Sequence, residues 1–303
     1  MLPSFLAALL FSASVVAAGR SARLLGSNSA NLWRLVAGTA LLMLWAHTFG
    51  GGLRGDAFSV FFISGCVGFG LGDYALFQTL PRLGPRLSSL LTNCLAAPFA
   101  AAIEWVWLGT TLTWFQMVCG GMTLGGVGLA LAPERHAPIS PNARLAGVLF
   151  GALAGFGQGF GAVLSRKAYA VAAAAGQQID GGTAAYQRIL GGLLVVALPL
   201  CWLWLAEQFA AKSAGRLPLS PSDRSAAWRW VLVNALAGPT LGVACFQWAL
   251  KTTPSGIVLP IVATTPLVII PFTYFMEGDR PGKRSLAGGV LAVVGVIALT
   301  LSR

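Results

Sequence analysis

The chain has 303 residues, 56% hydrophobic and only 10% charged, with a mean hydropathy of +0.75. A soluble domain carries about a quarter charged residues, so this composition excludes one and points to a polytopic membrane protein. The net charge of +11 is spread over short segments between apolar runs; it forms no patch for nucleic acid, and anionic lipid head groups are the partner it suits.

A membrane-crossing helix needs about 20 mostly apolar residues. Ten stretches meet that rule: 2–19, 30–49, 57–80, 86–108, 112–132, 144–166, 183–206, 228–250, 254–276 and 283–301. The first has the small-residue end of a signal peptide but no basic start, and it has a counterpart later in the chain, so it is read as a retained helix. The second carries Arg34 a turn or so inside its start. The third holds Ser64, Gly68 and Gly72 four apart, then Asp73, Tyr74 and Gln78. The fourth contains Asn93, Pro98 and Glu104.

The sixth stretch, RLAGVLFGALAGFGQGFGAVLSR, places Gly147, Gly151, Gly155 and Gly159 on one helical face, with Gln158 beside them. Each interior glycine costs roughly 1 kcal/mol in an aqueous helix, whereas in lipid every backbone group must bond internally and the helix persists. Such a face lets a neighbouring backbone approach closely, or lines a path where backbone and Gln158 meet a ligand. The seventh stretch carries Arg188, the eighth Asn234, Pro239, Gln247 and Trp248, and the ninth Pro260, Pro266 and Pro271. The longest connection, about 207–227, leaves no room for a soluble domain. His47 and His136 stand apart, and Cys66, Cys94, Cys119, Cys201 and Cys245 lie inside apolar runs. Neither a metal site nor a disulfide framework is expected, and no cofactor.

The chain repeats itself. RLVAG at Arg34–Gly38 answers RILGG at Arg188–Gly192; Ser64, Gly68, Gly72 answers Asn234, Gly238, Gly242; Pro98 and Gly120 have the separation of Pro266 and Gly288. Two five-helix units are expected, 1–135 and 144–303, joined by a linker at 136–143. Because five is odd, the copies enter the membrane from opposite sides, giving an all-α integral membrane fold of ten helices as two inverted repeats.

In these residues the chain resembles the drug/metabolite transporter superfamily, in its ten-helix branch with two EamA-type domains. The resemblance covers essentially the whole chain. It is carried most specifically by LSSLLTNCLAAPFAAAIEWVWLG followed by GGMTLGGVGLAL, and by ATTPLVIIPFTYFMEGDRP followed by LAGGVLAVVGVIAL. Pro266 and Glu277 fit the family's mid-helix proline and closing glutamate. In the first copy Thr110 stands near the glutamate position and Glu104 about one and a half turns earlier. The resemblance implies secondary transport of small metabolites through a central cavity walled by the first four helices of each copy. A small polar or amino-acid-like solute, exported across the cytoplasmic membrane of a bacterium by alternating access, is the expected cargo.

Charges inside a membrane cost about 2.5–3.5 kcal/mol each on insertion scales, so each needs a reason. By strict alternation Arg34 and Asp73 fall toward one membrane face, and Arg188 and Glu104 toward the other; two symmetry-related pairs are expected. Proton loading through Asp73 or Glu104 and exchange without protons are both open. Tyr74, Gln78, Asn93, Gln158, Asn234, Gln247 and Trp248 are the expected cavity residues. Pro98, Pro239, Pro260, Pro266 and Pro271 are the expected helix-bending sites, and Gly68, Gly72, Gly147, Gly151, Gly155 and Gly159 the packing sites. With cytoplasmic termini, as the resemblance implies, thirteen loop Arg and Lys lie outside against five inside, Arg54, Arg166, Lys167, Lys251 and Arg303. That reverses the positive-inside rule and favours the opposite orientation. A membrane enzyme would need a nucleophile or metal constellation that neither GLGDY nor GFGQGFG provides, and paired intramembrane polar residues argue against a scaffold. Nothing in the sequence separates a monomer from a homodimer.

Overall fold

In the computed structural model, residues 1–131, 141–210, 221–265, 267–268 and 282–301 are described, and they are overwhelmingly helical. In chain order the helices are α1 Leu2–Leu25, α2 Ser27–Thr48, α3 Phe58–Gly65, α4 Asp73–Leu108, α5 Trp114–Leu131, α6 Pro141–Ala174, α7 Gly181–Ala210, α8 Pro221–Ala235, α9 Val243–Thr252, α10 Ser255–Val262 and α11 Lys283–Leu301. Two seven-residue π-helical segments, Cys66–Gly72 and Leu236–Gly242, join α3 to α4 and α8 to α9. Six described stretches are long and apolar enough to cross a membrane: Leu2–Leu25, Phe58–Leu83, Leu91–Leu108, Asn142–Ala174, Gly181–Leu198 and Asp223–Thr252. The second expected span, α2, is long enough, but Asn31, Arg34 and His47 dilute its apolarity. Much of the expected ninth span, with Pro266, Pro271 and Glu277, lies outside the described residues, as does most of the expected 136–143 linker.

Several boundaries differ from the sequence expectation, each for a local reason. α1 and α2 extend toward each other until only Gly26 separates them, at φ 82°, a conformation other residues rarely adopt. α6 runs on through AYAVAAA to Ala174, because alanine is the best helix former, and the chain turns at Gly176 with φ 69°. The apolar spans separate near the expected break at 81–85, Phe58–Leu83 from Leu91–Leu108, although helical bonding continues through Pro81 and Pro85. The chain nevertheless reverses direction there. α6 passes Gly72 at Gly157 and Gly68 at Gly161, in descending order, but Leu91 at Gly151, Leu95 at Gly155 and Ala100 at Gly159, in ascending order.

That double contact explains the glycines of α6. A Cβ on Gly151 or Gly155 would meet Leu91 or Leu95 at 2.8–2.9 Å, one on Gly159 would meet the Ala96 carbonyl at 2.6 Å, and one on Gly157 would meet the Gly72 Cα at 2.7 Å. Gly147 packs likewise on Leu83. In lipid the hydrophobic effect does not press helices together, so close backbone approach supplies dispersion contact instead. The outer surface is correspondingly apolar, with Leu44 65%, Val106 80%, Leu149 62% and Val290 65% exposed. α5 pairs with α11, where a Cβ on Gly126 would lie 2.4 Å from the Ala292 nitrogen.

The π-segments sit where the glycine series predicts close packing. Pro239 has no N–H and its ring collides with the carbonyl four residues back, so α8 widens by a residue instead of breaking. The first segment, CVGFGLG, has no proline; its glycines leave the helix weakly determined, and its neighbours shape it.

Candidate functional site

The interior helices leave between them a partly open cavity of about 140 Å³. From the first half it is lined by Phe11 and Ser14 of α1, Arg34 of α2, Gly68 and Phe69 of the π-segment, and Asp73 and Phe77 of α4. After the chain reverses, α4 contributes again through Ser89, Thr92 and Asn93. The second half supplies Gln158 of α6, Arg188 of α7, Gly238 and Pro239 of the second π-segment, Val243 and Phe246 of α9, and Thr265. A mostly apolar wall with a few convergent polar groups is the usual make-up of a small-molecule site.

Arg34 and Asp73 are an ion pair, Nη2 against Oδ2, with the arginine side chain 7% and the carboxylate 24% exposed. Arg34 also donates from Nε to Asn31 Oδ1 at 3.0 Å, and its guanidinium lies 5.1 Å from the Phe77 ring centroid. Asp73 reaches this pair because it is the first residue after the π-segment, where the widened turn has rotated the chain. Arg188 is held differently. Its Nε donates to Ser64 Oγ at 2.9 Å; Ser64 Oγ in turn donates to the Gly161 carbonyl at 2.6 Å and lies 2.9 Å from Ser165 Oγ. The guanidinium lies over the Phe69 ring at 5.3 Å, a cation–π contact. Backbone packing fixes its origin: α3 crosses α7 so closely that a Cβ on Gly65 would stand 1.7 Å from the Arg188 carbonyl oxygen.

The expected pair of Glu104 with Arg188 is not formed. Glu104, 2% exposed, is an ion pair with Arg166 through Oε1, while its Oε2 accepts from the Ser255 N–H at 2.9 Å and from Ser255 Oγ. Arg166 also donates from Nη1 to the Leu250 carbonyl at 3.2 Å. The carboxylate thus caps the positive N-terminus of α10 and tethers α4 to α6 and α10. Arg188 points to the cavity instead, which is the physical reason the pairing fails.

Of the amides and aromatics singled out from sequence, Asn93 and Gln158 line the cavity. Asn93 Nδ2 donates to the Ser89 carbonyl at 2.9 Å. Asn234 lies behind the wall, accepting from Ser14 Oγ at 2.7 Å. Gln78 faces the α2 start, donating to Asn28 Oδ1 at 2.9 Å, and is not a cavity residue. Gln247 is fully buried with both side-chain amide atoms lacking partners among the described residues, and it too is off the cavity. Tyr74 and Trp248, expected as stacking faces, are 43% and 52% exposed and lie outside it. The aromatic faces actually presented are Phe11, Phe69, Phe77 and Phe246. Pro98 is exposed on an uninterrupted α4, Pro260 lies inside α10, and Pro239 alone of the described candidates lines the cavity. Sequence reasoning missed Ser64's grip on Arg188, Gly65, and the Arg166–Ser255 cradle; the glycine run from Gly65 to Gly72 was the available signal for the second of these.

Outside the membrane-spanning core, Asp180 ties the start of α7 to α2. Its Oδ1 accepts from the Thr183 N–H at 2.9 Å and from Trp45 Nε1 at 3.1 Å, and its Oδ2 accepts from Thr183 Oγ1. Partial burial pushes its pKa up, but the hydrogen bonds from Thr183, Trp45 and Gly182 outweigh it and hold the carboxyl below the ordinary value.

The sequence profile of the EamA-like transporter family matches residues 1–132 and again 145–301. No curated protein matches the chain. A solved crystal structure shares the fold with a TM-score of 0.74 at 18% identity, covering 99% of this chain and 96% of that one. Matched across nearly its whole length, the all-helical, multi-pass chain described here belongs to the EamA-like transporter family of the drug/metabolite transporter superfamily.

Proposed function

We propose that this chain is a secondary carrier that exports a small polar solute across the cytoplasmic membrane of a bacterium, its two five-helix halves forming an inverted repeat that rocks around the cavity. The observation that carries this reading is a reciprocal set of contacts. In the first half, Gly68 meets Gly161 and Gly72 meets Gly157; in the second, Gly238 meets Ser14 and Gly242 meets Phe11. Gly38 lies against Pro239, and Gly192 against Phe69. With α1 matched to α6 so that Phe11 answers Gly157, each contact becomes the other, to within one residue, when equivalent positions of the two sequence copies are exchanged. The π-segments occupy equivalent positions as well. Two interlocked, equivalent units can open the same cavity to either side by exchanging their arrangements, which is alternating access.

Asp73, engaged by Arg34, is the carboxylate of the described cavity wall through which proton coupling would run. Purified protein in sealed vesicles tests the whole reading. Counterflow of a labelled metabolite is the expected result, and an imposed pH gradient that drives it distinguishes proton coupling from exchange. Chemical conversion of the solute without flux refutes the carrier.

A further inference from the structure

Arg34 and Arg188 begin the matching RLVAG and RILGG segments. Asp73 stands five residues after Gly68; the residue five after the matching Gly238 is Val243. All four side chains line the cavity. Arg34 therefore has its acid, and the place where symmetry would put one for Arg188 holds a valine. Among the described residues no carboxylate lies within ion-pair distance of Arg188, whose contacts include the Ser64 hydroxyl, the Phe69 ring and, at Nη2, Gly68 and Gly161; the carboxylate whose charge reaches it is Asp73, already paired with Arg34. Of the ionisable groups on the cavity wall among the described residues, Arg34 and Asp73 cancel, and Arg188 leaves one net positive charge.

A buried arginine stays protonated and its planar fork matches a carboxylate through two parallel N–H···O bonds. An apolar cavity of about 150 Å³ holds benzene, so 140 Å³ admits about six non-hydrogen atoms on the same scale. Phe11 and Phe246 offer the carbon skeleton an apolar wall, and Asn93 and Gln158 offer a hydroxyl or carbonyl its hydrogen bonds. We propose that the solute of this cavity is a small organic carboxylate and that Arg188 receives its charged group, replacing the acid that the second repeat lacks. The proposal rests on the carrier reading for the solute's fate, but not for its binding.

The test uses the full chain, purified and in vesicles, with carboxylates of two to four carbons, among them acetate, lactate and butyrate, and their neutral amides. Thermal stabilisation reads binding and counterflow reads transport. Carboxylates are expected to stabilise the wild type and the amides not to. Arg188→Gln is expected to weaken carboxylate binding at least tenfold, with Arg188→Lys retaining part of it. Val243→Asp supplies an internal carboxylate where symmetry expects one and is expected to abolish solute binding while the protein melts no lower than wild type; it keeps the test decisive if Arg188→Gln misfolds. Amides binding as well as carboxylates, or carboxylate binding indifferent to Arg188→Gln or to Val243→Asp, overturns the proposal. Amide flux at wild-type rate in both variants leaves the carrier standing and removes the site; carboxylate binding through Arg188 with no flux of any solute removes the carrier and leaves the site.

Discussion

Gly65→Ala is the sharpest perturbation of the scaffold that presents Arg188. The added Cβ would lie 1.7 Å from the Arg188 carbonyl oxygen and 2.8 Å from its Cα, whereas van der Waals contact needs roughly 3.5 Å. Backbone cannot rotate out of the way as a side-chain tip can, so α3 and α7 must separate by roughly 1.8 Å at the crossing. A gap of even 0.5–1 Å forfeits about a quarter to a half of each dispersion contact, and overpacking a filled site typically costs about 1–3 kcal/mol; the expected loss is about 3 kcal/mol. Gly125→Ala is the matched control, since nothing lies within 4 Å of a Cβ there, and it is expected to change stability by no more than about 0.5 kcal/mol. Reversible unfolding in mixed micelles, followed by the helical circular-dichroism signal, measures both. If Gly65→Ala unfolds at the same denaturant concentration as Gly125→Ala, the close crossing of α3 on α7 is wrong, and with it the placement of Arg188.

Glu104→Gln leaves the partly buried Arg166 without its counter-charge and is expected to destabilise the protein by about 2 kcal/mol, read by the same unfolding assay; an unaltered midpoint counts against the α4–α6–α10 tether. Exchanging the charges of Arg34 and Asp73 in a double variant is expected to recover at least 1 kcal/mol, roughly, of what the two single changes lose, and strict additivity of the singles argues that the pair is only geometric proximity. Asp180 has a folded pKa below its unfolded one, so its contribution is fully present above about pH 4 and lost as pH falls through the folded value. Unfolding midpoints of the wild type should drop more steeply on acidification below about pH 4 than those of Asp180→Asn; parallel curves would remove the role of the Thr183 and Trp45 hydrogen bonds.

The positions of six spans were legible because apolar run length is a one-dimensional property, and the approach of Arg34 to Asp73 because alternation of crossings puts both toward one membrane face. Depth, however, is all that alternation of crossings supplies. Glu104 and Arg188 agree in depth but not in rotation about their helix axes, and rotation decides that Arg188 enters the cavity while Glu104 turns to Arg166 and Ser255. Tyr74 and Trp248 fail for a related reason. Each follows a π-segment, and an extra residue in a turn displaces every later side chain by about 100° from the face that regular 3.6-residue spacing assigns. The turn between the third and fourth spans was legible, but not the helical bonding that carries through Pro81 and Pro85, because a proline's effect depends on whether packing supplies other partners for the freed carbonyls.

The interlocking of the halves also bears on how the protein is made. Ser64 finds its acceptor on Gly161, 97 residues further along the chain, so the groove beside the first π-segment is still open when the ribosome has finished α5. Lipid or a chaperone must occupy that groove until α6 emerges, and a truncated first half should therefore be a substrate for quality control, not a small stable protein.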